Sequence, residues 1–513
     1  MMTSIVKQQS LTALLDGFLA NDMPLQECQL SDISMDSRRV TLGTLFLALS
    51  ARREDRLAHM QQAIDRGAFA VLVDTTMPVS EQEQHLLAAH SVMAYSVDAL
   101  AQKAGYIAAR FYQHPSERLT VIAVTGTNGK TSVSQFIAQA LESCGHACGV
   151  IGTMGAGRIS DLELTGMTTP DAVTMQRLLA GFELEGCAYV VMEASSHALD
   201  QGRLNSVDVN VAVLTNLSRD HLDYHQTMAH YAAAKMRLFE LPSITRAVIN
   251  IDDTFGQHVL EKLDKRVKAL SYSREQHADI SVVSMNSHIN GVELTLQLAG
   301  QQGQLSLPVL GRFNVENVLA TVAVMRALHF DLNDSLQAVS HCRAVSGRME
   351  VHGKAGQPTV VIDYAHTPDA LEQALKALRE HLPDNGHLWC VFGCGGDRDK
   401  GKRPLMGQIA EQSADKVIIT ADNPRTEDHE QIVTDILAGC QRPENIYIEH
   451  DRQAAIQFAI THAKANDIVL VAGKGHEAYQ EINQVKYPFS DAQAVTAILA
   501  DLENTIYNVA GGH

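Results

Sequence analysis

The sequence lacks what a membrane or secreted protein needs. No apolar run reaches the length required to cross a bilayer. The stretch from Met1 to Asn21 carries one lysine and no continuous apolar core, which is not the pattern of a secretory signal. Cysteine is sparse, eight residues scattered through 513, so reduced thiols and a cytoplasmic location are expected rather than a disulfide framework. The spaced pairs Cys144/Cys148 and Cys390/Cys394 lack the tight four-ligand pattern of a zinc site and read as buried thiols. Positive charge is short too: 41 Lys and Arg against 59 Asp and Glu leave −18. That balance disfavours a nucleic-acid partner. It leaves room for small anionic substrates, provided local Lys, Arg and backbone N–H groups receive them. No long low-complexity tract or clear repeat occurs.

What is present is globular. With 45% apolar residues over 513 positions, the chain is too long for one core and is expected to form two to four domains. One stretch organises it. Val121 to Val124 is an apolar run of strand length, and Phe136, Ile137, Ala140 and Leu141 follow at helical spacing. Between them, Gly126 and Gly129 let the backbone turn tightly and aim N–H groups at an anion. Lys130 can reach the β- and γ-phosphates, and the Thr131 hydroxyl can ligate Mg²⁺. The strict phosphate-loop pattern fails by one position, because its first glycine would fall on Val124. This is a compact variant.

In chain order, residues 1–116 read as a small α/β domain. Strands are expected at Thr44 to Leu49 and Ala68 to Val73, with a helical stretch from Met60 to Arg66. Asp36-Ser37-Arg38-Arg39 reads as a polar turn, and Tyr112 to Arg118 as a boundary. The central domain, 117–344, continues with the polar turn Gly166-Met167-Thr168-Thr169-Pro170. A strand from Ala188 to Met192 then delivers Glu193 and Ser195 at its carboxyl end, where ligands collect in an open parallel sheet. Glu193 suits Mg²⁺, with capping of the next helix as the alternative. The strand Val209 to Leu214 runs into Asp220, His221, Asp223 and His225; ligand cluster and exposed polar loop are equal readings of that spacing. Lys235, on a helix, reads alone as a surface charge. Asn314 and Asn317, one turn apart, suit a purine edge or a helix cap equally.

The third domain, 345–513, alternates strands and helices in a Rossmann-like pattern. Thr359 to Ile362 ends at Asp363, an acid suited to a ribose. Leu388 to Phe392 leads to Gly393 and Arg398, Lys416 to Thr420 to Asp422-Asn423-Pro424-Arg425, and Ile468 to Ala472 to Gly473 and Glu477. The fold class is therefore α/β in three domains, the central one of phosphate-loop type.

Together these stretches resemble the Mur ligase family, the ATP-dependent amide ligases of bacterial cell-wall synthesis. The resemblance runs in order from Asp36 to Glu477. It rests on Thr125 to Ser132, Glu193, Thr215-Asn216, Asp220 to His225, Lys235, Gly311 to Asn314, Gly347-Arg348, Asp363 to His366 and Asp422 to Arg425. The last motif looks like the branch that adds meso-diaminopimelate to UDP-N-acetylmuramoyl-L-alanyl-D-glutamate. The resemblance implies a UDP-sugar-binding first domain, an ATP-binding second domain and a third that takes the amino acid, in a monomer.

The resemblance also implies residue roles. ATP would lie on Gly126, Thr127, Asn128, Gly129, Lys130, Thr131 and Ser132, with Asn314 on the adenine side, Arg348 on phosphates and Asp363 on ribose. Thr131 and Glu193 would hold one Mg²⁺; His221 and a carbamylated Lys235 would serve a second. Lys130, Glu193, His221 and Lys235 would be catalytic. Ser37, Thr168, Thr169, Ser195, Gln201 and Arg203 would hold the UDP-sugar peptide. Arg425 would grip the distal carboxylate of diaminopimelate, helped by Arg398, Asp422, Asn423, Pro424, Gly473 and Glu477. L-Lysine would leave that guanidinium unpaired, a loss of roughly 2–5 kcal/mol, hence discrimination on the order of 10²-fold or more. One departure stands out. Residues 50–57 lack the glycine and Asp-Gly pair the family commonly has there, so Arg52 or Arg53 facing the diphosphate and a solvated basic rim remain alternatives. The competing functions are an L-lysine-adding ligase, a MurF-type ligase, a folylpolyglutamate synthetase, and a nucleotide-binding scaffold without catalysis.

Overall fold

Buried apolar runs ending in polar loops become parallel strands whose carboxyl ends carry the candidate site. The computed structural model describes residues 9–19, 25, 27–289, 291–298 and 300–510; the sequence reading of Met1 to Asn21 therefore falls partly outside the described residues. The chain divides into two compact units. Unit 1 is Met1–Ile280 with Leu319–Val339, and unit 2 is Ser281–Val318 with Ser340–His513.

Unit 1 holds a four-stranded parallel sheet in chain order, Asp32–Ser34, Thr44–Leu47, Ala68–Asp74 and Met93–Val97. The helix after the second strand runs Arg53–Asp65, longer at its start than expected, so most of the 50–57 stretch is helix rather than loop. There Arg52 pairs with Asp55 at 2.8 Å and Arg53 donates to Pro78 O at 2.9 Å. These contacts favour the basic-rim alternative. The core of this layer, from Leu11 to Tyr112, is continuous with Val173 and Ala180 of helix Ala172–Leu184. From the same helix Arg177 Nη2 donates to both Asp32 oxygens, at 3.0 and 3.1 Å.

The main sheet of unit 1 has a parallel series of six strands, in spatial order Cys148–Gly152, Tyr189–Glu193, Thr120–Thr125, Val209–Leu214, Arg246–Asn250 and Lys268–Ser273, with Gly155–Arg158 and Asp161–Glu163 added antiparallel beyond the first. Their largely apolar interiors suit a sheet covered on both faces. Helix Lys130–Ser143 turns Phe136, Ile137, Ala140 and Leu141 inward, as their spacing predicts.

Unit 2 carries the antiparallel pair Gly291–Leu298 and Gln301–Leu307 and a six-stranded sheet. In that sheet Glu350–His352 is an antiparallel edge to the parallel series Thr359–Asp363, Ile468–Ala472, Leu388–Phe392, Lys416–Ile419 and Tyr447–Ile448. Alternate residues point to opposite faces. Val361, Cys390 and Leu470 enter one core with helices Pro368–Arg379 and Lys402–Ser413, while Val360, Val391 and Val469 enter another with helix Arg452–His462. Helices thus cover both faces, the doubly wound arrangement expected of 345–513. All eight cysteines are free. Among the described residues no helix is long and apolar enough to cross a membrane.

Candidate active site

In unit 1 the strand Thr120–Thr125 lies between Tyr189–Glu193 and Val209–Leu214, so three carboxyl ends open on one edge. The chain must turn from the central strand straight into helix Lys130–Ser143. Gly126 and Gly129 do this at φ +154° and +83°. A Cβ on Gly126 would lie 1.8 Å from Thr215 Oγ1, so that position excludes any side chain. The neighbouring strand's loop holds the turn in place. Asn128 N–H donates to Asn216 Oδ1 at 2.9 Å, and the Thr215 hydroxyl donates to Asn128 O at 2.6 Å. No side chain caps the helix that begins at Lys130, Thr131 and Ser132, and its first N–H groups suit an anion.

Two lysines meet at this loop. Lys130 Nζ donates to Gly126 O at 3.0 Å and to Thr127 O at 2.8 Å. Lys235 Nζ donates to the same Gly126 carbonyl at 2.6 Å and sits 4.5 Å above the Tyr231 ring. Lys235 is 1% exposed, which overturns its reading as a surface charge. Helix Met228–Phe239 turns Tyr231, Ala234, Lys235, Leu238 and Phe239 inward together. Burial, reinforced by the charge of Lys130 and opposed by Asp220, pushes the Lys235 pKa down to about 6. Near neutral pH the amine is therefore largely unprotonated.

Glu193 ends the neighbouring strand, 1% exposed. Its carboxylate accepts the Thr153 N–H at 2.8 Å and the Thr153 hydroxyl at 3.1 Å, so it does not cap the following helix; Ser195 does. A Cβ on Gly152 would lie 2.3 Å from Glu193 Oε1; the glycine makes room for the carboxylate. Five residues expected to hold the sugar peptide are linked here. Thr168 Oγ1 is 3.1 Å from Thr153 Oγ1, the Thr169 hydroxyl donates to Glu193 O at 2.7 Å, and Ser195 N–H donates to Thr169 Oγ1 at 3.1 Å. Arg203 donates to Thr169 O at 2.7 Å and to Gln201 Oε1 at 2.6 Å. Ser37 is not linked to them: it is buried, and its hydroxyl donates to Gln62 Oε1 at 2.6 Å.

The acidic and imidazole run after Leu214 splits. His225 is buried with Nε2 3.0 Å from Ser196 Oγ. Asp220 and His221 stay exposed, 3.5 Å apart, and the His221 ring meets that of His197 edge-on. Among the described residues no three His, Cys, Asp or Glu side chains are grouped to hold a metal ion.

Unit 2 holds the remaining expected residues. Asn314 lies inside helix Arg312–Ala327 rather than capping it, and its amide donates to Leu310 O at 2.9 Å and accepts from Asn317 at 3.1 Å. Arg348 lies over the Tyr364 ring at 4.8 Å, with its Nε buried and without a hydrogen-bond partner. Asp363 accepts the Met349 N–H at 2.8 Å; burial pushes its carboxyl up, against the pull of Arg348.

The loops after Ile419 and Ala472 meet in a buried polar cluster. Asn423 is fixed at both ends of its amide: Nδ2 donates to Glu477 Oε2 at 2.9 Å, and Oδ1 accepts Lys474 Nζ at 3.1 Å and Glu481 N–H at 2.9 Å. Arg425 adopts φ +52°, which a residue with a side chain ordinarily avoids. Its N–H donates to Glu481 O at 3.0 Å and its carbonyl accepts Asn483 N–H at 2.7 Å. Its guanidinium has an internal partner, with Nε 3.3 Å from Glu481 Oε2. Asp422 is buried against Gly473, whose Cβ would lie 2.6 Å from Asp422 Oδ2. A Cβ on Gly396 would lie 1.9 Å from Pro424 O, so that loop packs closely on the motif. Arg398 is exposed and has no hydrogen bond or ion pair among the described residues.

Three contributors escaped the sequence reading. Lys474 and Arg452 are fully buried, and Glu481 sits on the hairpin Tyr479–Ile482/Val485–Pro488. Arg452 pairs doubly with buried Asp491, at 2.7 and 2.8 Å, and donates to Ala421 O and Ala472 O. It thereby ties together the two loops that form this cluster. The only sequence signal was a position: Lys474 lies between two noted residues.

Known proteins match this chain along its length. The family description "Mur ligase middle domain" matches residues 124–325, and "Mur ligase, glutamate ligase domain" matches 347–475. A curated protein of Pseudomonas putida, called UDP-N-acetylmuramoyl-L-alanyl-D-glutamate--2,6-diaminopimelate ligase, is 44% identical over 480 residues, covering 92% of this chain and 95% of its own. A Neisseria meningitidis protein of the same name is 42% identical, over 90% of this chain and 93% of its own. A solved structure of that name has a TM-score of 0.73 at 38% identity, over 97% of this chain and all of the other. A MurF ligase from Thermotoga maritima in complex with ADP shares the fold, with a TM-score of 0.59 at 18% identity over 92% and 98% of the two chains.

Proposed function

The chain belongs to the Mur ligase family, and on that basis we propose that it uses ATP to join the D-glutamyl carboxylate of UDP-N-acetylmuramoyl-L-alanyl-D-glutamate to an amine of meso-diaminopimelate, a cytoplasmic step of peptidoglycan precursor synthesis. The observation that carries this reading beyond nucleotide binding is the second lysine of the phosphate loop. Lys235 is buried and shares the Gly126 carbonyl with Lys130. A passive nucleotide scaffold has no use for a desolvated amine at that point.

The chemistry follows from charge. A carboxylate attacking ATP approaches a polyanion, so Lys130 and the loop N–H groups offset charge on the phosphoryl oxygens. Attack gives an acyl phosphate and ADP. The neutral amine of diaminopimelate then adds to the acyl carbon, and the tetrahedral intermediate expels phosphate. Thr168, Thr169, Ser195, Gln201 and Arg203 would orient the peptide beside Glu193, and keeping water out preserves the acyl phosphate.

The donors fit Mg²⁺. Hydroxyl, carboxylate and carbamate oxygens are hard ligands, and Gly152 leaves the space in which Glu193 presents its carboxylate. A site short of three protein acids suits an ion completed by substrate phosphates. Thr131, Glu193, His221 and Lys235 as a carbamate would hold the ions, which neutralise phosphoryl charge when bound. In unit 2, Asn314, Arg348 and Asp363 are proposed for the nucleotide, and Arg425, Asn423 and Glu477 for the amino acid.

The test is phosphate release with ATP, Mg²⁺ and the UDP-dipeptide, offering meso-diaminopimelate and L-lysine in parallel and recording product mass. Turnover with diaminopimelate and appearance of the tripeptide mass is expected. Turnover with lysine alone would reassign the acceptor, and none with either would leave only a nucleotide scaffold.

A further inference from the structure

Arg425 meets an internal carboxylate before any substrate arrives. Its Nε lies 3.3 Å from Glu481 Oε2 and its Nη1 donates to Gly396 O at 2.7 Å. Its Nη2 donates to nothing among the described residues. Nη2 therefore remains able to take a carboxylate, while a carboxylate of the protein already lies beside Nε.

Glu481 is held there by its own backbone. Its N–H donates to Asn423 Oδ1 at 2.9 Å and its carbonyl accepts Arg425 N–H at 3.0 Å. Neither bond depends on its side chain. The two side chains are 19% and 23% exposed, so solvent screens the pair only in part.

Two consequences follow for an amino acid that reaches Arg425. One that brings a distal carboxylate meets an arginine already half neutralised and a second negative charge beside it. One that lacks the carboxylate does not leave the guanidinium bare, because Glu481 still pairs with it. Both effects narrow the gap between the two amino acids. The expectation of an unpaired guanidinium in the lysine complex omits this internal partner.

We propose that Glu481 is a specificity-determining residue that moderates discrimination between diaminopimelate and L-lysine by sharing Arg425. The proposal rests on the diaminopimelate-ligase reading given above. Removing the charge while keeping the shape, as Glu481→Gln does, leaves the main-chain bonds intact and releases Arg425 for the substrate.

The experiment compares wild type, Glu481→Gln and Arg425→Ala, measuring kcat/KM for meso-diaminopimelate and L-lysine at saturating ATP and UDP-dipeptide. Thermal unfolding is recorded for each protein. In Glu481→Gln the ratio of diaminopimelate to lysine is expected to rise about two- to fivefold, the range of a partly exposed ion pair. The rise should come mainly through a lower KM for diaminopimelate. A merely structural role would lower both substrates together and leave the ratio unmoved. An unchanged or reduced ratio, with wild type still ligating diaminopimelate and Arg425→Ala still losing it selectively, overturns the proposal and leaves the ligase reading standing. Failure of wild type to ligate diaminopimelate overturns the ligase assignment and this inference with it, whereas an Arg425→Ala variant with unchanged KM for diaminopimelate overturns the role of Arg425 and this inference but leaves the ligase assignment standing.

Discussion

Lys235 should be a carbon dioxide acceptor, and its burial sets how well. An ordinary lysine near pKa 10.4 is neutral to roughly 0.1% at pH 7.5. With the Lys235 pKa near the value of about 6 that burial and Lys130 impose, most of the amine is neutral at the same pH, a gain on the order of 10²- to 10³-fold in the reactive form. Carbamate formation should therefore persist well below neutrality and fall away only as pH drops through about 6. The assay is ¹³C NMR of the protein in ¹³C-bicarbonate across pH 5 to 10, with Lys235→Arg as the control, because guanidinium stays protonated. A carbamate resonance lost in Lys235→Arg, present at pH 7, is expected. No such resonance, or one that appears only above about pH 9, the range of ordinary lysines, would refute the reasoning.

The same shift has a stability counterpart with a definite sign. Because the folded pKa lies below the unfolded one, the unfolded chain holds an extra proton between about pH 6 and pH 10.4. Stability therefore rises with pH through that window, and the cost of burying the amine is greatest at the acid end. In CO₂-free buffer, Lys235→Met should stabilise the protein more at pH 7 than at pH 9.5, by about 3 kcal/mol. Equal gains at the two pH values would mean that the amine is not desolvated as the Gly126 contact requires.

Other perturbations separate the parts of the site. Arg425→Ala should weaken diaminopimelate use by about 10²-fold or more while leaving ATP binding unchanged, as read by KM for each; equal loss of both would reject its role. Gly152→Ala places a Cβ where Glu193 Oε1 lies, so it should cut kcat and raise the Mg²⁺ concentration needed for half activity, with little change in far-ultraviolet circular dichroism. Arg452→Met leaves the Asp491 carboxylate buried and alone, which should lower stability by about 3–5 kcal/mol; thermal unfolding and the KM for diaminopimelate report the two consequences.

How far the fold could be read ahead depended on how local its causes are. The strands at Thr120–Thr125, Val209–Leu214, Leu388–Phe392 and Ile468–Ala472 were legible because each is built on a short apolar run, broken only by Asn210 in the second, and closed by glycine or a polar turn. The phosphate loop was legible because tight turning needs glycine at fixed offsets, and Gly126 and Gly129 both adopt positive φ. The start of helix Arg53–Asp65 was not, since Arg52 to Asp55 looks like any charged loop until an i to i+3 ion pair forms across its first turn. Asn314 was read as a possible cap from its place near a helix start, but a side chain donating back to Leu310 O is a tertiary outcome of burial.

The residues that sequence reasoning placed least well share one property: their partners are backbone or charge far along the chain. Lys235 finds a carbonyl 109 residues away, Arg452 a carboxylate 39 residues away, and Arg425 a glutamate on a hairpin with no pattern of its own. Helical spacing reports which face a side chain occupies, not whether that face is closed by another strand's loop. For Lys235 the difference inverts the expected chemistry, because a solvated ammonium repels a second cation and cannot take up carbon dioxide, whereas a desolvated amine beside Lys130 is held in the neutral form that the carbamate prediction requires. For Arg425 it would change the strength of the proposed selection rather than its direction. A motif can say which charge meets the substrate's carboxylate, but only the fold says which carboxylate meets that charge first.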